Sequence, residues 1–492
     1  MTMSAETNNR WLALYVLCGG MLMIVLDATI VNVALPSIQD DLGFSQSNLA
    51  WVVNAYLIAF GGLLLLAGRI GDLIGQRRVF LTGLVVFTAA SLLCAVAQTQ
   101  GMLIAARFVQ GAGGAIASAV ILGMIVTMFP EPREQAKAIG IYSFVASAGA
   151  SIGLLLGGVL TEAINWHWIF FVNLPVGVAV GLLALRLVED RDGIGLDKGA
   201  DIPGAALLTA GLMLGVYTLL ETSEQGWGST QTLGLGAVAL ALLAAFVARQ
   251  ARIANPLMPL RLFRSRNVTG ANVVMALLVV GFFGMFFLGA LYMQGILGYN
   301  ALEVGLAFLP SAVVMGGLSL GLAEKLMMGI GPRLALLAGL GLIVAGLLLF
   351  ARTPVDGNYF VDVFPAMLLL GGGAGLSFPA LMTLAMSGAT PQDSGLASGF
   401  INTTVQVGGA VGLAVLATLS TSRAEGLVAD GEPVAEALNS GYHLAYLIGA
   451  ALTLVAIVVA FVVLRAQNAA DAEAGEPVAE PHGAGHALPE AA

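Results

Sequence analysis

The sequence predicts an all-α integral membrane protein: two pseudo-symmetric six-helix bundles plus two extra central helices, fourteen transmembrane helices in all. Three observations carry this. Of 492 residues, 58% are hydrophobic and only 10% charged, whereas soluble domains carry roughly 25% charged residues; mean hydropathy is +0.92. Uncharged runs long enough to cross about 30 Å of hydrocarbon recur along the whole chain. A glycine pattern in the first half also returns in the second.

Taken in order, helices are expected near 11–35, 49–69, 79–98, 102–126, 138–162, 167–186, 203–220, 231–249, 269–293, 302–325, 332–351, 362–386, 396–421 and 443–465. The first follows Arg10 as a signal peptide would, but no small-residue cleavage site follows, and the run continues past Asp27 to Pro36. It reads as an uncleaved span. With the N-terminus inside, 17 of the 20 Lys and Arg residues fall in cytoplasmic segments. The positive-inside rule therefore places both termini in the cytoplasm and favours an even helix count. The 64 glycines suit close helix packing in lipid. Cys18 and Cys94 lie within spans, and no disulfide framework or metal site is indicated.

Gly111-Ala-Gly-Gly, Gly140 and Gly153 parallel Gly371-Gly-Gly-Ala, Gly399 and Gly412, with spacings of 29 and 13 against 28 and 13. Parallel repeats of this kind place a transporter's substrate between the halves. The domain reading is then a cytoplasmic N-terminus over 1–10 and a six-helix bundle over 11–190. Two additional helices occupy 200–250, a second bundle 251–465, and a disordered cytoplasmic tail 466–492, rich in Ala, Gly, Glu and Pro.

Between spans two and three lies Gly68-Arg-Ile-Gly71-Asp72-Leu-Ile-Gly75-Gln76-Arg77-Arg78. Gly71 and Gly75 permit a tight turn, and Asp72 sits among three arginines. The run resembles the signature loop of the major facilitator superfamily. Gly68, Asp72, Gly75, Arg77 and Arg78 match it, and Gln76 stands where a base is more usual. Gly321 to Arg333 looks like a degraded second copy. The resemblance implies that this loop latches the halves together, with Asp72 near Ser394–Ala397 at the start of span thirteen.

Span one ends Leu26-Asp27-Ala-Thr-Ile-Val-Asn32-Val-Ala-Leu-Pro36. This resembles the first-span signature of drug:proton antiporters, above all their fourteen-span branch. A charge at that depth costs on the order of 3 kcal/mol, so it lines a cavity, titrates, or is bound by a neighbouring helix. Asp27 is the expected proton carrier, and Asn32, about 140° further round the helix, interhelical glue. In span four, Arg107, Gln110, Gly111 and Gly114 share one face. The run matches the family's Arg-x-x-x-Gly element, which implies a part in proton coupling; the alternative is an arginine snorkelling to the outer interface.

Gly149, Gly153, Gly157 and Gly158 in span five resemble the antiporter motif, with Leu154 where the family has proline. A bend at glycine alone is then expected, or plain helix packing. Trp166-His167-Trp168 opens span six, with His167 in place of the family's arginine; it reads as an interfacial histidine or a pH sensor.

The resemblance, running from about 11 to 465, implies a proton-coupled exporter of amphipathic drugs or antibiotics in the bacterial plasma membrane. Its expected partners are hydrophobic or amphipathic small molecules, protons and the bilayer, with no nucleic acid, and it is expected to be a monomer. No cofactor is expected, the proton gradient being the energy source. A weak substrate cavity is drawn from Asn54, Tyr56, Gln294, Asn402 and Gln406. The alternatives are a dedicated exporter of one self-made metabolite and a non-transporting membrane sensor. No Gly-x-x-x-x-Gly-Lys-[Ser/Thr] loop and no catalytic constellation occur, so neither an ATP-driven pump nor an enzyme is expected.

Overall fold

The computed structural model describes residues 2–190, 192–193, 195, 201–254, 256–258, 260–387 and 394–464, and among these every regular element is helical. The first half holds α1 (Thr2–Leu42), α2 (Trp51–Ile74), α3 (Gln76–Ala95), α4 (Gln100–Met128), α5 (Pro132–Ala163) and α6 (Asn173–Leu187). Two helices follow, α7 (Ile202–Gln225) and α8 (Thr230–Gln250). The second half holds α9 (Arg266–Gly295), α10 (Ala301–Gly317), α11 (Pro332–Phe350), α12 (Phe364–Ser387), α13 (Ser394–Ala429) and α14 (Val434–Val463). Twelve of the described helices are long and apolar enough to cross a membrane. Two shorter apolar stretches, Ile152–Ala163 and Ala301–Gly317, fall where the remaining two spans are expected. The expected tail, 466–492, lies outside the described residues.

Several boundaries differ from the sequence reading. The first helix runs through Pro36 to Leu42, because a proline removes one rung of the ladder but packing on α5 holds the rest. At the far ends of α13 and α14 the helices outrun the apolar stretch, since solvated residues such as Arg423 and Glu436 still favour helix. The fifth helix shows no break at Leu154.

Glycine contacts bear out the internal repeat at atomic detail. A Cβ on Gly111 would lie 2.3 Å from the Tyr56 carbonyl oxygen, and one on Gly371 would lie 2.2 Å from that of Ser311. Likewise Gly83 and Gly113 pack α3 on α4 as Gly339 and Gly373 pack α11 on α12. Gly75 (φ 104°) joins α2 to α3, and Gly331 (φ 84°) leads into α11; both are left-handed junctions suited to glycine. The junction at Gly331 therefore repeats the one at Gly75. Gly71 has another role than the expected turn: it lies within α2, where a Cβ would meet the Val120 side chain at 2.3 Å.

The halves meet along two seams. On one, α5 packs against α10: a Cβ on Gly158 would come within 2.7 Å of the Ala301 carbonyl, and one on Gly305 within 2.6 Å of that of Leu154. Gln294 adds a cross-half hydrogen bond, donating to the Val33 carbonyl at 2.8 Å. These contacts lie toward the arginine-poor face, opposite the Gly68–Arg78 loop. Toward the other end of α10, a Cβ on Gly316 or Gly317 would meet nothing within 4 Å among the described residues. On the second seam α2 packs against α13, with Gly61 against Gln406. Here α7 lies along both helices and braces this seam: Tyr217 meets Trp51, and Thr418 donates to the Leu219 carbonyl.

Candidate functional site

Four helices of the first half converge on Asp27, which is fully buried with Arg107. Arg107 Nη1 donates to Asp27 Oδ2 at 2.5 Å and to Gln110 Oε1 at 2.7 Å, and its Nε donates to the Val52 carbonyl at 3.0 Å. Asp27 Oδ1 accepts from Gln110 Nε2 at 2.6 Å and from Asn173 Nδ2 at 2.9 Å. Ser91 completes the network. It accepts from Gln110 and Asn173 and donates to the Phe170 carbonyl. The guanidinium lies 4.4 Å from the centre of the Tyr56 ring, a cation–π contact strengthened by the burial of both groups.

Each partner has a local reason to be there. Arg107 and Gln110, three residues apart on α4, point the same way. Gly111, next on that face, lets α4 approach the α2 backbone closely enough for Arg107 to reach Val52. Asn173 opens α6 after the helical turn Trp168–Phe171, which turns its amide inward. An ionised carboxylate only accepts hydrogen bonds, and three donors surround this one. A proton on Asp27 would remove one of the contacts that hold Arg107, which also donates to the Val52 carbonyl and to Gln110 Oε1.

The structure decides between the alternatives left by the sequence. Arg107 does not snorkel; it is sealed in the bundle. Asn32 is not interhelical glue, because it donates to the Thr29 carbonyl of its own helix. Glu303 and Asp362, two acids near outer span ends, cap helices: Glu303 forms a capping box with Asn300, and Asp362 accepts from the Asn358 N–H. Reading across the repeat, Arg107 and Gln110 correspond to Met367 and Leu370, and Asp27 aligns with the neighbourhood of Gly281. Among the described residues, the second half carries no equivalent ion pair at that place.

Other expected residues fall elsewhere. Gly149, Gly153 and Gly157 pack α5 on α1, against Val25, Leu26 and Ile30, while Gly158 faces α10. Asp72 is exposed beside Gln76, and the dock expected for it near Ser394–Ala397 involves side chains outside the described residues. Gly68 lies within α2, where a Cβ would meet nothing within 4 Å among the described residues. Arg77 and Arg78 grip the chain leaving α6: Arg77 donates to the Leu185 carbonyl, and Arg78 pairs with Asp190 at 3.5 Å and Asp192 at 3.4 Å. His167 stacks on Trp166, whose indole donates to Asp41 at 2.9 Å. Burial pushes the His167 imidazole below its ordinary range, with Asp41 only partly opposing.

The residues drawn into a substrate cavity do not share one open space in this conformation. Tyr56 is buried under Arg107, and Gln294 is engaged with Val33. Asn54 is buried with neither amide atom hydrogen-bonded among the described residues, on the α2 face that carries Trp51 and Gly61 toward the seam with α7 and α13. Asn402 is exposed and Gln406 half-buried on α13.

Sequence reasoning missed Ser91 and the Val52 carbonyl. It also missed a second buried acid, Asp201. This residue caps α7 through the Gly204 N–H, accepts from Arg249 Nε at 2.6 Å and from Gln250 Nε2 at 2.7 Å, and so ties α7 to α8. Burial works to raise its carboxyl, but the Arg249, Gln250 and Gly204 hydrogen bonds outweigh it and hold Asp201 below the usual carboxylate range. An acid before Ile202-Pro203 is a helix-start signal that could have flagged it.

The model of the Major Facilitator Superfamily matches residues 17–413. The chain is 37% identical over 478 residues to a puromycin resistance protein of Streptomyces alboniger, covering 96% of this chain and 95% of that one. It is 39% identical to a cephamycin export protein of Amycolatopsis lactamdurans, covering 94% of each. A multidrug resistance protein of Mycobacterium tuberculosis matches at 34%, over 81% of this chain and 74% of the other. Among solved structures, a bacterial homologue of the human lysosomal transporter Spinster superposes with a TM-score of 0.67 at 16% identity, covering 94% of this chain and 99% of that one. With an all-helical fold, repeated halves and a signature loop at its expected place, the chain belongs to the major facilitator superfamily.

Proposed function

We propose that the protein is a proton-coupled exporter of amphipathic drugs or antibiotics, working by alternating access. The observation that carries this reading is the sealed Asp27–Arg107 pair, present in one half and replaced by apolar residues in the other. A buried ion pair is a poor source of stability, because desolvation offsets much of its attraction. It suits a site that must exchange a proton. The seam at Gly158 and Gly305 lies toward the arginine-poor face, whereas a Cβ on Gly316 or Gly317 of α10, toward the arginine-rich face that the positive-inside rule assigns to the cytoplasm, would meet nothing within 4 Å among the described residues. Substrate would enter from that side. Proton arrival at Asp27 would weaken the hold on Arg107 and loosen the packing of α1, α4 and α6.

The relatives named for resistance to or export of a single antibiotic favour a narrower second reading, export of one dedicated compound. A drug-susceptibility panel in an efflux-deficient host, with and without this protein, separates the two. Protection against several unrelated amphipathic drugs supports multidrug export, and protection against one supports the dedicated exporter. No protection by an abundant, membrane-inserted protein against any compound, antibiotics of the relatives' classes included, contradicts both.

A further inference from the structure

The peripheral helix α8 ends in a feature separate from the Asp27 network. Only 17% of its most apolar stretch is buried, and Leu233, Val238, Leu240 and Val247 are exposed, so its outer side faces lipid. At its arginine-rich end a cleft of about 470 Å³ opens, lined by Ala245, Ala248, Arg249, Arg252 and Ile253. Among the described residues the lining carries two cations and no acid. Ala245 and Ala248 continue the exposed stripe of Val238 and Ala241 along α8, and Arg252 follows just past its end, so the cleft opens at the foot of a lipid-facing stripe of small residues.

Arg249 is held from behind. Its Nε donates to the fully buried Asp201, while about a third of its side chain (36%) stays exposed. An arginine fixed at one edge has little freedom left to lose on binding, and its planar fork suits phosphate oxygens. Arg252 is exposed one turn further on.

We propose that this cleft seats the headgroup of an anionic phospholipid from the leaflet on the arginine-rich face, gripped by Arg249 and Arg252, with its acyl chains along Val238 and Ala241. Charge complementarity selects an anion, and the lipid-facing stripe beside it selects a lipid over a soluble phosphate. Occupancy would also brace the junction between the extra helices and the second half. Gln250 shares Asp201 with Arg249 and accepts from the Met258 N–H at 3.1 Å, where the chain leaves toward α9.

The test uses the purified full-length protein in detergent, titrated with phosphatidylglycerol, with phosphatidylcholine of the same chains, or with inorganic phosphate. Bound lipid is read by native mass spectrometry. Wild type should retain phosphatidylglycerol in preference to phosphatidylcholine. Arg252→Gln should weaken phosphatidylglycerol about fivefold, the share of one arginine at an anionic headgroup, and leave phosphatidylcholine unchanged. Arg264→Gln, outside the cleft but on the same face, should bind as wild type does. Equal retention of the two lipids, an unaltered Arg252→Gln, or an equal loss in Arg264→Gln would overturn the site. Displacement of phosphatidylglycerol by millimolar phosphate would reassign the cleft to a soluble anion and overturn the lipid proposal.

Discussion

Replacing Asp27 by Asn keeps the shape of the side chain and removes its charge, leaving Arg107 as a sealed cation without a counter-ion. The new amide would aim its N–H groups at the Arg107 Nη1 that now lies 2.5 Å from Oδ2. Removing one partner of a buried pair costs about 3–5 kcal/mol. The lower end applies here, because the Val52 carbonyl, Gln110 Oε1 and the Tyr56 ring still face the guanidinium. Arg107→Met should cost less, about 1–3 kcal/mol, since Asp27 keeps Gln110 and Asn173 and can neutralise itself by taking up a proton. In the double variant the amide introduced at position 27 can donate to the Gln110 oxygen that Arg107 vacates, and methionine already fills the corresponding place, Met367, in the second half. The double variant should therefore be more stable than Asp27→Asn alone. The assay is reversible unfolding of the four proteins in mixed micelles, read as a double-mutant cycle. Additive losses, or an Asp27→Asn as stable as wild type, would refute the idea that the two charges hold each other.

Further outcomes follow from other contacts. Gly158→Val, whose branches would press on the Ala301 and Leu302 backbone, should wedge the arginine-poor seam open; spin-label distances between α5 and α10 should lengthen. Leu154→Pro should lower folded yield, because α5 is continuous there and an interior proline costs about 3 kcal/mol; a yield equal to wild type would show that the helix bends at its glycines. Asp201→Asn should lower thermal stability at neutral pH. Because the native carboxyl is held low, the wild-type advantage should be full above the ordinary carboxylate range and fade as pH falls through the depressed native value, below about pH 4; an advantage that instead grew on acidification would contradict the sign. Asp72→Asn should impair transport without reducing insertion, and undiminished efflux at equal abundance would argue against a latch at the signature loop.

Much of the fold could be read in advance, because a lipid solvent leaves the chain few choices: apolar runs must be helices, and arginines mark one face. The repeat was readable for a similar reason. Glycines such as Gly111 and Gly371 stand where one backbone touches another, and only they fit. Asp27 and Arg107 stood out as charges in apolar spans. Ser91 did not, because serine in a span carries no signal of its own until a neighbouring helix supplies Gln110 and Asn173. Pro36 misled for the opposite reason. A local helix-breaking preference of a few kcal/mol yields when the flanking turns are packed. The cavity residues were the least readable, since a polar side chain in a span can serve substrate, backbone or neighbour, and only geometry shows that Gln294 serves Val33.

The central claim is that Asp27 carries the coupling proton. It is tested most directly by substrate-induced proton release from proteoliposomes holding matched amounts of wild type, Asp27→Asn and Asp27→Glu. The expected result is release by wild type, partial release by Asp27→Glu, and none by Asp27→Asn, which should still bind substrate. Full proton-coupled release by a folded Asp27→Asn would contradict the claim.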